Sequence, residues 1–273
     1  MLNDHERSFV FRHAYVPEHL PDYVRAVSAA EPFLVDRYLC FFGGRRLIFV
    51  GYPLGNTDVD PQEAYTSALE RFRPSSAAII APEIWLDRHS GDHEQDQYYR
   101  LALPLAQLPS AVAYMIRRAR REVGVSEGNF GREHKRMVRA FIAARALTKA
   151  QETLFKKLPG YVKQSDSALL LEARRGNRLA AFSVLDLGSA DYGFYLFNFR
   201  SQEFDVPGAS DLLLHEMVRR AVDSGKSALN LGLGLHAGVR RFKEKWGAVP
   251  FLSYASAVVR TGPTDIGKLL SKL

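Results

Sequence analysis

The chain has 273 residues, against roughly 150 for a typical domain, so it holds one large domain or two modest ones. With 47% hydrophobic and 25% charged residues it has the composition of a folded globular protein, which argues against collagen-like, long disordered or membrane-spanning architectures. Its net charge of +7 is local: Ala111 to Ala150 carries ten basic residues (Arg117, Arg118, Arg120, Arg121, Arg132, Lys135, Arg136, Arg139, Arg145 and Lys149) and three acidic ones (Glu122, Glu127 and Glu133), so the rest of the chain is neutral. The single cysteine, Cys40, cannot form an intrachain disulfide and sits in the apolar run Tyr38 to Phe42, as expected for a buried thiol in a reducing compartment. The N-terminus has acidic residues and no apolar core, and no run approaches the ~18 apolar residues of a membrane span. The expected location is the cytoplasm.

In chain order, Phe33 to Phe42 and Arg45 to Tyr52 flank Gly43-Gly44 and predict a hairpin. A polar loop from Gly51 ends in Asp60-Pro61-Gln62-Glu63, a helix start in which Asp60 caps, Pro61 occupies N1 and Glu63 can bond back. That helix is predicted to reach about Arg71, with a strand following at Ala77 to Ala81. His89, Asp92, His93 and Glu94 bring metal-ligating residue types together, but their polar, glycine-containing surroundings fit a solvated loop, and no metal is expected. Ser110 to Val123 and Arg132 to Leu158 predict helices, separated by a linker at Gly124 to Gly131.

The second half is more regular. Ala168 to Arg174 and Leu179 to Leu187 predict a hairpin around Arg175-Gly176-Asn177, and Tyr192 to Phe199 a central strand buried on both faces. After a polar loop, Leu213, Leu214, Met217, Val218, Ala221 and Val222 recur at helical intervals between Ser210 and Ser224, and Gly225 stops the helix. Ala228 to Leu231 is a strand, Gly232 to Gly238 a turn, Val239 to Trp246 a short basic helix and Phe251 to Val259 a last strand. The order hairpin, loop, helix, strand thus occurs twice, at 33–81 and 168–231, which predicts a tandem repeat.

Several familiar motifs are missing. Gly232-Leu-Gly234-Leu-His-Ala-Gly238 has its third glycine one position too late for a dinucleotide fingerprint, and no Lys-Ser/Thr follows as in a P-loop. His215-Glu216 begins like a zinc-protease helix, but Arg219 stands where the second histidine belongs. No Gly-x-Ser-x-Gly elbow occurs.

Three stretches carry a resemblance: Pro207-Gly-Ala-Ser-Asp-Leu-Leu-Leu-His-Glu-Met217, Ala228-Leu-Asn-Leu-Gly232, and Gly238-Val-Arg-Arg-Phe-Lys-Glu-Lys-Trp-Gly247. They resemble the GNAT acyltransferases. The Arg241-Phe242-Lys243-Glu244-Lys245-Trp246-Gly247 segment after Asn230-Leu231-Gly232 is similar to the branch holding Fem-type peptidoglycan bridge transferases and phosphatidylglycerol lysyltransferases. Ile116 to Glu122 is loosely similar to a basic helix end of that branch. The resemblance implies an α/β fold of two GNAT-like units with mixed sheets flanked by helices. The first, degenerate unit is expected at 1–130 and the second at 131–273, joined by a long helix over 132–158.

It also implies an N-acyltransferase moving an acyl group from an activated donor to a primary amine. Acyl-CoA is the favoured donor, aminoacyl-tRNA an alternative, and a non-catalytic binding protein of the same fold a third reading. Lys243 matches the lysine assigned in Fem-type enzymes to the donor's carbonyl, where a cation would stabilise the oxyanion; on helix pattern alone it reads as a solvated lysine. His236, in the glycine-rich turn, is the candidate base. The GNAT phosphate loop is reduced to Gly208-Ala209-Ser210, which as a helix start can still receive an anion, with Arg240 and Arg241 as further phosphate partners. The basic segment 117–149 could receive tRNA, an acidic substrate or coenzyme A phosphates. The helical arm of some Fem-type enzymes is missing.

Overall fold

The computed structural model describes residues 1–86 and 93–261. Two helices, α1 (Asp4–His13) and α2 (Pro21–Ser28), flank a 3-10 turn (Pro17–His19) and lead into β1 (Glu31–Val35), β2 (Tyr38–Gly43) and β3 (Arg46–Val50). The run read as one strand, Phe33 to Phe42, is therefore two. Asp36 takes a positive φ of 50° and turns the chain, a conformation that a short polar side chain tolerates.

Next come α3 (Pro61–Phe72), β4 (Ser76–Ala81) and β5 (His93–Ala102). Asp60 caps α3 as the residue pattern predicts, its carboxylate accepting from the Gln62 amide at 2.7 Å. Helix α4 (Ser110–Arg120) is followed by β6 (Gly124–Glu127). The expected linker thus contains an edge strand, paired antiparallel with residues 171–174.

The expected long helix over 132–158 is two helices, α5 (Arg132–Ala143) and α6 (Lys149–Gln164). The break has a local cause. Thr148 caps α6 by accepting from the Gln151 amide at 3.2 Å, and the Gln151 side chain accepts from the Thr148 amide at 3.0 Å, a reciprocal pair that starts a new helix. Helix α6 continues past Leu158 through Pro159, because Leu158 and Tyr161 are both core residues at 1% exposure. The chain then forms β7 (Ala168–Arg175), β8 (Arg178–Asp186), β9 (Tyr192–Arg200), α7 (Ala209–Asp223), β10 (Ala228–Leu233), α8 (Ala237–Lys245) and β11 (Val249–Arg260).

The chain divides into two compact units that interleave in sequence instead of meeting once at residue 130. One comprises Met1–Arg7, Ser28–Asp96 and the described residues from Ser253 onward; the other comprises Ser8–Val27 and Gln97–Leu252. In the first unit β1, β2 and β3 form an antiparallel meander, β4 joins parallel to β3, and β11 pairs antiparallel with β4. In the second unit β7, β8 and β9 form the meander, β10 joins parallel to β9, and β5 pairs antiparallel with β10. The predicted repeat is present, and each unit takes its last strand from the other half of the sequence.

The second unit has three layers. Helices α4 and α7 pack on one sheet face around Val112, Ile116, Leu213 and Met217; α5 and α6 pack on the other around Met137, Tyr161, Phe182 and Phe199. Covered on both sides, β8 is buried at every position except Arg178, as a central strand requires. The expectation of full burial belonged to β9, which instead leaves Tyr192, Tyr195, Leu196 and Asn198 half-buried. In the first unit, Tyr65 and Ala68 of α3 pack on Leu47, Phe49 and Ile79.

A buried carboxylate joins α6 to the meander. Tyr161 donates to Asp186 Oδ2 at 2.5 Å and Ser167 donates to the same oxygen at 2.9 Å, while Asp186 Oδ1 accepts from the Gly188 amide at 2.8 Å. Tyr161→Phe removes one donor from this buried anion and is expected to lower stability by about 1–3 kcal/mol. Urea denaturation with an unchanged slope would register it; an unchanged midpoint would show the bond to be worth nothing.

Candidate active site

The second unit's sheet opens between β9 and β10. The two strands pair only from Ala228↔Tyr192 to Asn230↔Phe194. Beyond that point each carries one extra residue: β9 slips by one against β8 between Val184↔Phe197 and Leu185↔Tyr195, and β10 slips against β5 between Asn230 and Leu233. Bulges bend and twist a strand, so two bulges at one level part the neighbours. In the first unit β3 and β4 stay paired over five residues, from Arg46↔Ser76 to Val50↔Ile80, and no such opening forms there.

The Asn-Leu-Gly sequence builds one lip of the opening. Asn230 is fully buried; its amide nitrogen donates to the Tyr15 carbonyl at 2.8 Å, and its oxygen accepts from the Gly232 amide at 2.8 Å. Gly232 has φ +74°, which glycine adopts without a Cβ penalty. A Cβ there would stand in ordinary contact, 3.9 Å from Lys243 Nζ and 3.9 Å from the Tyr195 carbonyl oxygen, so the position calls for glycine through its φ and lies between these two groups.

Helix α8 delivers Lys243 to this point. Trp246 Nε1 donates to Asp211 Oδ1 at 2.9 Å, and Lys245 Nζ pairs with the same oxygen at 2.6 Å, fastening α8 to the first turn of α7. Between these anchors and the partly buried Phe242, Lys243 turns inward to 2% exposure. Its Nζ donates to the Leu233 carbonyl at 2.5 Å and lies 5.5 Å from the Tyr99 ring centroid. Lys243 is therefore not a solvated helix lysine.

A second ionisable group stands at the same strand end. Glu18, in the turn Pro17–His19, accepts from the Tyr98 hydroxyl at 2.7 Å, and Tyr98 is the register partner of Leu233. Burial raises the Glu18 pKa, against the lowering effect of the Tyr98 hydroxyl. Successive residues of β5 point to opposite faces: Tyr99 lies under Lys243, and Tyr98 faces Glu18. The two groups flank the end of β10 from opposite sides. No motif marks Glu18 in the sequence; it reaches the site because Asn230 and Ser189 hold the carbonyls of Tyr15 and Ala14.

The other expected residues are placed differently. His236 is the exposed N-cap residue of α8, with no side-chain cap bond. Arg240 and Arg241 are exposed on α8. Gly208, the N-cap of α7 at φ +87°, and Ala209 are buried; a Cβ on Gly208 would stand 2.3 Å from the Met115 carbonyl oxygen of α4. Ser210 Oγ accepts from the Asn198 amide nitrogen at 2.8 Å. This helix start is packed against α4, and the segment around it carries the carboxylates Glu203, Asp205 and Asp211.

Arg117, Arg118 and Arg120 on α4, Arg121 at its C-cap, and Arg132, Lys135, Arg136 and Arg139 on α5 are exposed. His93 and Glu94 lie on β5, while His89 and Asp92 fall outside the described residues. Among the described residues no three metal-ligating side chains form a group, and no helix is long and apolar enough to cross a membrane.

No family model matches the chain, and no curated protein matches its sequence. Solved structures match its fold. FemX superposes with a TM-score of 0.66 at 11% identity, over 93% of this chain and 96% of that one. L-PGS from Bacillus licheniformis gives 0.58 at 15%, over 98% and 95%. A tandem GNAT protein from the clavulanic acid biosynthesis pathway gives 0.51 at 12%, over 84% and 79%. Likeness at these identities is likeness of fold. The chain has the tandem GNAT-like fold, in the form shared with FemX and L-PGS.

Asp211 is the anchor of this geometry. Asp211→Ala leaves the buried Trp246 indole N–H and the Lys245 ammonium without their shared acceptor, and is expected to cost about 2–4 kcal/mol. Thermal denaturation checks it; a melting temperature unchanged from wild type would contradict the anchoring role.

Proposed function

We propose that the second unit is an acyltransferase centre in which the Lys243 ammonium receives the carbonyl oxygen of an activated acyl donor lodged where β9 and β10 part. The observation that carries this reading is a buried lysine held at that opening by a helix anchored on Asp211. The acceptor is a primary amine. Its unprotonated nitrogen attacks the carbonyl carbon, the C=O electron pair moves onto oxygen beside Lys243, and the bond to the leaving group then breaks. The proton lost by the amine passes through Glu18 to the leaving group. An ammonium has three N–H donors, so Lys243 can keep the Leu233 carbonyl and still donate to the oxyanion.

For the donor, the helix start at Gly208 supports an aminoacyl ester carried on RNA over acyl-CoA. Gly208 and Ala209 are buried and Ser210 is bonded to Asn198, so this helix start is occupied by protein groups. The exposed arginines of α4 and α5 suit a polyanion. Thermal stabilisation by coenzyme A would instead favour the thioester. If neither acyl-CoA nor charged RNA binds, the fold has kept its shape without this chemistry.

Losing one oxyanion donor costs about 10²–10³ in rate. Lys243→Ala is therefore expected to slow single-turnover transfer by at least about 10²-fold while the circular dichroism spectrum is retained; a wild-type rate in a folded variant would refute the role. Because Glu18 must be ionised to accept a proton and its pKa is raised, the wild-type rate should fall as pH drops through a value above the ordinary glutamate range. Glu18→Gln keeps an acceptor for Tyr98 but should lose that limb and about 10²-fold in rate. A profile identical to wild type would remove Glu18 from the reaction.

A further inference from the structure

A cavity of about 140 Å³ lies at the far end of β9, away from the opening. It has room for more than a single water, which needs ~10–15 Å³. Three guanidinium groups line it, from Arg136 on α5, Arg178 at the start of β8 and Arg200 at the end of β9, together with Ser201 and Phe204 of the following loop.

The charges around the cavity are unevenly spent. Glu133, on its wall, is held by Arg174 at 2.8 Å, and Arg200 pairs with Asp205. Arg178 stacks over Phe204 with its guanidinium 4.1 Å from the ring centroid, which fixes its plane and leaves its donors available. Arg136 is exposed and makes no ion pair among the described residues. Glu203 is the remaining carboxylate of the wall. Arg132, Lys135, Arg136 and Arg139 follow at helical intervals along α5, so the positive side of the helix continues outward from the cavity.

With Arg200 held by Asp205, the guanidinium groups of Arg136 and Arg178 are those free to bond the oxygens of a phosphate group. Position adds a second constraint. From Tyr195 at the opening to Arg200 at the cavity, β9 with its bulge advances past four residues of β8, from Leu185 to Ala181, or about 13 Å at ~3.3 Å each. A ligand that fills both places has an acyl group at one end and a phosphate roughly 13 Å away.

We propose that the Arg136–Arg178–Arg200 cavity binds a phosphate group of the acyl donor. The assignment to the donor rests on the transferase reading; the affinity for phosphate does not. Binding can be measured by calorimetry at low salt with inorganic pyrophosphate, with coenzyme A and with a short single-stranded RNA, using the wild-type chain, Arg136→Gln and Lys157→Gln. Lys157 is exposed on α6 and outside the cavity wall, so its loss controls for net charge.

The expected result is that Arg136→Gln binds pyrophosphate and the donor-like probe about tenfold more weakly and that Lys157→Gln matches wild type. With RNA, the salt slope should fall by about one. The stronger binder of coenzyme A and RNA names the source of the phosphate. An Arg136→Gln loss no larger than that of Lys157→Gln, or no binding of any probe by wild type, overturns the proposal. Arg136-dependent pyrophosphate binding in a chain without transferase activity would uphold the phosphate site and reject its assignment to an acyl donor.

Discussion

A lysine ammonium withdrawn to 2% exposure is costly unless polar groups replace its water, and the geometry of the site follows from how this chain meets that cost at Lys243. The ammonium lies against the Leu233 carbonyl and over the Tyr99 ring, so it needs β10 to end where it does and β5 to lie beside it. It also needs α8 to be held down, which Asp211 does through Trp246 and Lys245. One carboxylate on the first turn of α7 thereby sets the position of a cation near the parting of two strands. That parting has its own cause in the paired bulges.

The contrast between the two units makes the same point. Both have a three-strand meander, a helix and a parallel strand, yet only the second unit parts its parallel pair. In the first unit Val50 and Ile80 remain register partners to the end, and the Gly51 amide still donates to the Ile80 carbonyl at 2.7 Å. A sheet whose amides are all satisfied by a neighbouring strand offers no backbone groups to a ligand.

Much of this was legible in the residues. The caps at Asp60, the apolar periodicity of α7 and the repeated element order all come from local rules, and local rules predicted them. The motif from Arg241 to Gly247 drew attention to Lys243, although helix periodicity alone gives a solvated lysine there: its burial depends on Asp211, thirty-two positions upstream in the sequence. Sequence could not reveal Glu18, because its neighbours in the fold are Tyr98 and the end of β10. The division at residue 130 was not legible for a similar reason. Strands β5 and β11 carry no sign of which sheet they join, and each completes the other half's sheet. The packing of the Gly208 turn was not legible either, because the Met115 carbonyl that lies onto it, at a distance only glycine permits, comes from a helix far away in sequence.

The most direct test of the central claim is a crystal structure of the chain with a non-hydrolysable amide analogue of an aminoacyl ester. The account predicts the analogue's carbonyl oxygen between Gly232 and Tyr195, about 2.7–3.1 Å from Lys243 Nζ, the distance expected of an oxyanion donor. An analogue bound elsewhere, with Lys243 still directed only at its protein partners, would contradict it.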